Sequence, residues 1–147
     1  MNQCIFCMIA SGEIPSAKWW EDDNFIAILD INPNIKGASL VIPKKHEPSD
    51  YSSVSDGTLN YAATALKNPI NKLKKYFGTE KVGIVVEGVG VDHLHFKLYP
   101  LIGYTPSQHE VSSTVYFEKY PGYLITKLGP KAEAQELETL AVELRNS

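Results

Sequence analysis

The chain has 147 residues, of which 44% are hydrophobic and 21% charged, and these values exclude a disordered or fibrous protein. Its 14 basic and 17 acidic residues give a net charge of −3, and no basic block stands out, which argues against a charge-based groove for a nucleic-acid polymer. The N-terminus has no basic region followed by an apolar run, and no stretch approaches the ~18 apolar residues of a membrane span. We therefore expect a cytoplasmic protein without a membrane partner.

The first predicted elements are two strands followed by a helix. Short apolar runs bounded by turn residues predict buried strands at Phe25–Leu29 and Ser39–Ile42. After the cap residue Ser55, apolar positions recur at helical spacing until Gly78, which predicts one long helix. Pro69 should bend or divide that helix, because proline lacks the backbone N–H that an internal helical position needs.

Two further strands and a late helix complete the predicted order. The strands are Val82–Val86 and His93–Tyr99. Apolar residues at helical spacing after Gly129-Pro130 predict a C-terminal helix, namely Leu137, Leu140, Ala141 and Leu144. This order favours a single α+β domain over residues 1–147 with a mainly antiparallel sheet, in which residues 101–147 extend a core of residues 1–100.

The predicted strand at His93 contains two of the chain's 4 histidines. Side chains alternate along a strand, so His93, His95 and Lys97 should share one face while Leu94 and Phe96 point into the core. The three side chains would span about 13 Å, which suits a phosphate group and its neighbours. We therefore expect two imidazoles and an ammonium to meet one anion, although a His-x-His pattern taken alone favours an exposed polar strand.

A series of short motifs runs through residues 2–100. They are Cys4-Ile5-Phe6-Cys7, Gly12-Glu13-Ile14-Pro15, Glu21-Asp22-Asp23, Asp30-Ile31-Asn32-Pro33, Gly37, Leu40–His46 and His93-Leu94-His95. In this order the series resembles the histidine triad (HIT) superfamily, and its most specific part is Leu40–His46 together with the histidine strand. The resemblance implies a homodimer with an antiparallel sheet and a long helix. It also implies a nucleotide-binding hydrolase or nucleotidyltransferase that acts on nucleoside phosphates or phosphoramidates.

The same resemblance assigns the catalytic residues. His95 occupies the position of the nucleophile, which attacks the α-phosphorus and forms a nucleotidyl-histidine. Lys97 stands where the usual triad has its third histidine, and we expect it to bind a phosphate oxygen or to protonate the leaving group. Ala38 replaces a further histidine of many relatives, and Glu87 would repel a phosphate if it pointed inward. These departures favour the alternative, a catalytically lapsed nucleotide-binding or zinc-stabilised interaction module.

The two cysteines, Cys4 and Cys7, form a Cys-x-x-Cys pair. Taken alone the pair also fits a redox motif or two idle thiols, but a redox role should come with a thioredoxin-like βαβ unit that the predicted order lacks. The zinc-binding branch of the HIT superfamily resembles this chain and implies a structural Zn²⁺ held by Cys4, Cys7, His46 and His93. Without zinc, His46 would be a surface histidine after two lysines.

The resemblance also implies the nucleoside contacts. Apolar side chains would enclose the base, and the carboxylate of Asp30 would accept hydrogen bonds from the ribose hydroxyls. The residues at these positions are Ile5, Phe6, Phe25, Asp30 and Ile31. The alternative is that Ile5, Phe25 and Ile31 are ordinary core residues and that Asp30 forms a turn before Asn32-Pro33.

Overall fold

A computed structural model describes residues 4–105, 114–122, 124, 125, 131 and 135 of the chain. Residues Met1–Pro106 and Ser107–Ser147 form two compact units, and the elements given below belong to the first unit. The predicted C-terminal helix at Leu137–Leu144 lies outside the described residues, and the assignment of residues 1–147 to a single domain stays a prediction. None of the described helices combines the length and the apolar composition that crossing a membrane requires.

Among the described residues, five antiparallel strands form one sheet in the order β1-β2-β3-β5-β4. The strands are β1 Lys18–Glu21, β2 Phe25–Leu29, β3 Ser39–Pro43, β4 Val82–Val85 and β5 Phe96–Pro100. All four neighbouring pairs are antiparallel, which confirms the predicted α+β fold. The order leaves β1 and β4 at the two edges of the sheet.

In the part of the chain that the structure describes, three α-helices accompany the sheet: α1 Ile5–Ser11, α2 Asp56–Ala65 and α3 Lys67–Phe77. The hydroxyl of Ser55 caps α2 by accepting the N–H of Thr58 at 3.3 Å. The predicted long helix is divided at Leu66, three residues before Pro69, because proline cannot donate to the carbonyl four residues earlier. Gly78 ends α3 in the left-handed conformation, with φ of 61°, as predicted.

Strand register sorts the sheet residues onto two faces. Phe25, Val41 and Phe96 lie on the face covered by α2 and α3, where they join the main core with Ala62 and Leu73. The opposite face we call the α1 face; its sheet residues are Ile26, Ile28, Leu40, Ile42 and Lys97, and Phe6 of α1 packs against its isoleucines. The histidines lie at the end of this second face.

The segment His93–His95 is not part of a strand, although the sequence pattern predicted one from His93 to Tyr99. β5 begins only at Phe96, opposite Val41 of β3. Pro43 has no N–H with which to continue the ladder, and the N–H of Leu94 donates instead to the carbonyl of Glu47 at 2.9 Å. The irregular backbone therefore lets each histidine ring find its own partners.

Candidate functional site

The two cysteines are brought together by the first turn of α1. Cys4 is the N-cap residue of this helix and Cys7 lies three positions later, so both side chains point to the same side. Both thiols are free and partly buried. The sequence pattern did not predict α1, so this local geometry is a finding of the structure.

His93 completes the contact with both thiols. Its Nε2 lies 2.9 Å from the carbonyl oxygen of Pro43. A carbonyl only accepts, so Nε2 carries the hydrogen and Nδ1 of the neutral ring keeps its lone pair. Nδ1 lies 3.3 Å from Sγ of Cys4 and 3.5 Å from Sγ of Cys7. The main chain of β3 thus fixes His93 in the tautomer that leaves Nδ1 available as a metal ligand.

His46 supplies a fourth donor from the loop after β3. Its Nδ1 lies 3.5 Å from Sγ of Cys7. The four donor atoms of Cys4, Cys7, His46 and His93 all lie within 4.8 Å of one another. Tetrahedral bonds of about 2.0–2.3 Å place neighbouring ligand atoms about 3.3–3.8 Å apart. The three sulfur–nitrogen distances given above fall within that range. These residues are therefore close enough to bind one metal ion.

Two hydrogen bonds hold the loop of His46 against the segment of His93. The carboxylate of Asp92 accepts the N–H of Ser49 at 2.9 Å, and this hydrogen bond lowers the pKa of Asp92. The N–H of Leu94 donates to the carbonyl of Glu47. Residues 47–49, which follow His46, are consequently joined to Asp92 and Leu94, which flank His93.

Burial favours the neutral form of both Cys7 and His93. It raises the pKa of the Cys7 thiol, and the neighbouring Cys4 raises it further. Burial also lowers the pKa of His93, an effect partly opposed by the hydrogen bond to the Pro43 carbonyl. Each group therefore favours its neutral form, which is the form in which imidazole coordinates a metal.

His95 is the second buried histidine, with 4% of its surface exposed. Its Nδ1 lies 2.7 Å from the carbonyl oxygen of His93, so by the same argument Nδ1 carries the hydrogen. Nε2 then bears the lone pair and makes no hydrogen bond to a described residue. Because Nε2 is absent from the fully buried unpartnered atoms of the described residues, it retains some exposure to solvent. His95 is thus oriented with Nε2 unpaired among the described residues.

Phe6 links the metal-ligand cluster to His95. Its ring lies edge-on to both imidazoles, with centroids 5.8 Å from His93 and 5.5 Å from His95. Only 9% of Phe6 is exposed. Because Phe6 sits between Cys4 and Cys7 on α1, any ligand that fixes the two thiols also fixes the ring beside His95.

Lys97 does not stand free on this face. Its ammonium forms an ion pair with the carboxylate of Glu87, and the two side chains are only 26% and 12% exposed. The expected cradle of two imidazoles and an ammonium stays a prediction: Nδ1 of His93 contacts the two thiols, and the charge of Lys97 is balanced by Glu87. Of His93, His95 and Lys97, His95 keeps a nitrogen without a partner among the described residues.

The predicted nucleoside contacts are distributed over different surroundings. Phe25 is 1% exposed and stacks on Tyr61 on the opposite face of the sheet, so its assignment to the base is corrected to a core residue. Phe6 lies beside His95, whereas Ile5 and Ile31 are 44% and 92% exposed. One carboxylate oxygen of Asp30 accepts the N–H of Asn32 at 2.8 Å, as the turn alternative predicts.

Sequence reasoning missed three contributors to the site. The carbonyls of Pro43 and His93 set the two tautomers, and no sequence pattern reports which carbonyl a ring will meet. The partner of Lys97 was also missed. Glu87 lies two residues beyond Val85, which is paired with Lys97 between β4 and β5, so the correct register would have indicated this ion pair.

Comparison with known proteins connects this geometry to one family. A family model described as the HIT domain matches residues 11–101, which include His46, His93, His95 and Lys97 but not the cysteines. An uncharacterized HIT-like protein of Methanocaldococcus jannaschii is 40% identical over 102 residues, covering 66% of this chain and 78% of that protein. The adenosine 5'-monophosphoramidase of Schizosaccharomyces pombe is 32% identical over 102 residues, covering 66% and 73%. The crystal structure of SMU.412c from Streptococcus mutans superposes with a TM-score of 0.72 at 26% identity, covering 99% of this chain and 85% of that one.

Proposed function

Because the chain belongs to the HIT domain family, we propose that it hydrolyses or transfers the nucleotidyl group of a nucleoside phosphate or phosphoramidate through a covalent intermediate on His95. The observation that carries the proposal is the hydrogen bond from Nδ1 of His95 to the His93 carbonyl, which leaves the lone pair on Nε2. The similarity to an adenosine 5'-monophosphoramidase supports a substrate of this class.

The first step forms the nucleotidyl-histidine. Nε2 of His95 attacks the α-phosphorus, and the bond from phosphorus to the leaving nitrogen or oxygen breaks. The leaving group takes that electron pair and a proton, while the imidazole becomes a cation that still donates from Nδ1. The His93 carbonyl stabilises this cation, since hydrogen bonds from charged donors are stronger than neutral ones.

The second step releases the nucleotide. Water, or another acceptor in a transfer reaction, attacks phosphorus and gives its proton to the amine of Lys97, which replaces the proton that went to the leaving group. The phosphorus–nitrogen bond breaks and its electron pair returns to Nε2, which regenerates the neutral ring. The same tautomer is restored because Nδ1 keeps its hydrogen throughout.

We propose that Lys97 assists through its pair with Glu87. Lys97 lies two positions after His95 on the same face of the sheet, and its ion pair with Glu87 places the ammonium where it could give a proton to the leaving group. A substrate phosphate would have to compete with Glu87 for that ammonium. Lys97 therefore suits protonation of a leaving group better than permanent binding of a phosphate.

The nucleoside is proposed to lie over α1 and the turn after β2. Exposed Ile5 and Ile31 are available to cover a base, and Phe6 forms the wall next to His95. Asp30 has one carboxylate oxygen in its own turn, which leaves the other for a ribose hydroxyl. Burial and the nearby Asp30 charge raise the pKa of Tyr99, so Asp30 acts electrostatically on the α1 face.

Cys4, Cys7, His46 and His93 are proposed to hold a structural Zn²⁺. Two sulfur and two nitrogen donors at the distances given above fit this ion, and the donor set supplies all four positions. When bound, zinc provides a closed crosslink between α1, the loop after β3 and the segment before β5. In the proposed reaction these residues act only by holding Phe6 and the His93 carbonyl in place.

A homodimer in the cytoplasm is part of the proposal. β4 is an edge of the described sheet, and Ile84 on this strand is 49% exposed. Such an edge suits pairing with a second copy. Light scattering coupled to size-exclusion chromatography should give twice the chain mass of 16.3 kDa, and a monomer across the micromolar range would contradict the dimer.

The second candidate is a catalytically lapsed nucleotide-binding or zinc-stabilised module. It is favoured by the neutral Lys97–Glu87 pair and by the 4% exposure of His95, which both limit access of an anionic substrate. Such a module would bind nucleotide without forming an adduct.

Intact-protein mass spectrometry separates the two candidates. The protein is mixed with adenosine or guanosine phosphoramidate, quenched within milliseconds to seconds in alkaline denaturant, and compared with His95→Asn and with His109→Asn as a matched histidine control. We expect one added nucleotidyl group in the parent and in His109→Asn, and none in His95→Asn. Saturable nucleotide binding without adduct or turnover in the parent would establish the module instead.

A further inference from the structure

An open cavity of about 660 Å³ lies beside α3 and the first two strands. Its apolar walls come from Trp19 of β1, Leu29 at the end of β2, and Leu73, Tyr76 and Phe77 of α3. No residue of this cavity belongs to the cysteine and histidine cluster. Its volume falls in the range of cavities that bind small organic ligands.

The charged residues that line this cavity are all lysines. Lys36, Lys72 and Lys75 lie at its rim, and no carboxylate is among its described lining residues. In the part of the chain that the structure describes, none of these lysines has an ion-pair partner. This local excess of positive charge contrasts with the net charge of −3 of the whole chain.

Several walls of the cavity are left incompletely packed. Tyr76 is 77% exposed and Leu29 is 43% exposed, so two large apolar side chains face solvent at this cavity. The ring of Tyr76 meets Phe77 edge-on at a centroid distance of 4.8 Å. Nε1 of Trp19 is buried without a hydrogen-bond partner among the described residues, so packing alone holds this indole.

We propose that this cavity binds a small amphipathic carboxylate, with an aliphatic or aromatic body against Leu29, Tyr76 and Phe77 and its carboxylate at the lysine rim. Burial of the body removes exposed apolar surface from water, and the lysines provide the charge that selects an anion over a neutral molecule. The site is independent of His95 and of the proposed nucleotidyl chemistry.

The proposal is tested by measuring the binding of decanoate and 2-naphthoate, with decanol as the neutral counterpart. Titration calorimetry gives the affinity, and NMR of the indole N–H signals reports the site. Trp19 and Trp20 are the 2 tryptophans of the chain, and Trp19→Phe assigns their signals. We expect saturable binding of both carboxylates, weaker binding of decanol, and a larger shift of the Trp19 signal than of the Trp20 signal. His95→Asn should bind the carboxylates as the parent does.

A matched pair of double variants on α3 tests the lysine rim. Lys72→Gln/Lys75→Gln should weaken carboxylate binding by about tenfold and leave decanol binding unchanged. Lys67→Gln/Lys74→Gln removes two charges from the same helix at positions outside the cavity, and it should bind as the parent does. Equal losses in both doubles would overturn the proposal, because the effect would then be one of net charge.

The apolar walls require a separate variant. Leu29→Gln/Tyr76→Ala changes two exposed positions and should abolish carboxylate binding without a change in oligomeric state. Absence of saturable binding to the parent would overturn the proposal. The proposal would also be overturned if the parent bound no carboxylate and Leu29→Gln/Tyr76→Ala changed the oligomeric state. A second copy of the chain would then occupy the cavity.

Discussion

The Lys97–Glu87 ion pair should couple the two residues energetically. At an ordinary ion-pair separation of about 3 Å and an effective dielectric constant of 20, two unit charges attract by about 5 kcal/mol. The side chains are 26% and 12% exposed, so a large part of this attraction is offset by lost hydration. We expect a net coupling of about 2 kcal/mol, above the values typical of fully exposed pairs.

A double-mutant cycle in urea measures this coupling. Glu87→Gln and Lys97→Met should each lower the free energy of unfolding, and the double variant should lose about 2 kcal/mol less than the sum of the two losses. The exposed pair Lys18–Glu21, with side chains 46% and 48% exposed, serves as a matched cycle. Its coupling should be smaller and should fall more steeply with salt.

Additive losses at Lys97 and Glu87 would refute this reasoning. The two charges would then be solvated separately, and Lys97 would be free to bind a substrate phosphate in the resting protein. A strong coupling instead means that phosphate binding by Lys97 requires the loss of its contact with Glu87.

Three further predictions test the remaining parts of the site and the core. Elemental analysis of the purified protein should find one zinc ion per chain. Cys7→Ser removes one of four ligands and should weaken zinc binding in chelator competition by at least about a hundredfold. Unchanged affinity would exclude the cluster as the metal site. Phe6→Ala should lower the free energy of unfolding by about 3–5 kcal/mol, and a loss below about 1 kcal/mol would mean that α1 does not pack as described. Gly37→Ala should cost about 1–3 kcal/mol, since φ is +85° and the added Cβ would lie 2.3 Å from Cε2 of Phe77; Gly57→Ala, which meets nothing within 4 Å, is the control and should not destabilise the protein.

Strands β2 and β3 and the helical stretch that forms α2 and α3 followed closely from local sequence patterns. Phe25–Leu29 and Ser39–Ile42 are apolar runs with clear boundaries, and both are strands in the structure. Pro69 divides the predicted long helix because its chemistry acts on the backbone within a few residues. Such signals are local, and a single sequence contains them in full.

The parts that failed depend on contacts between distant residues. The strand pattern at His93 was overridden by the hydrogen bond from Leu94 to Glu47 and by the imidazole contact with Pro43. Helix α1 is only seven residues long, and its propensity signal is weak compared with its packing on Ile26 and Ile42. Predicting the ion pair of Lys97 with Glu87 would have required the register of β4 against β5, which alternation within one strand does not supply.

The proximity of Cys4, Cys7, His46 and His93 agrees with the ligand set that the family resemblance implied. Spacing alone left a redox pair and idle thiols open, because Cys4-x-x-Cys7 specifies only two of four donors. The structure adds the reason for the choice of ring nitrogen: the Pro43 carbonyl occupies Nε2 of His93 and directs Nδ1 to the thiols.

The nitrogen of His95 that carries the nucleotide is the most direct measure of the proposed chemistry. Protein labelled with ¹⁵N-histidine is mixed with nucleoside phosphoramidate, quenched in alkaline denaturant, and analysed by ³¹P and ¹⁵N NMR of the histidine-containing peptide. The hydrogen bond from Nδ1 to the His93 carbonyl predicts phosphorus on Nε2 of His95. Phosphorus on Nδ1, or on any other residue, would contradict the account.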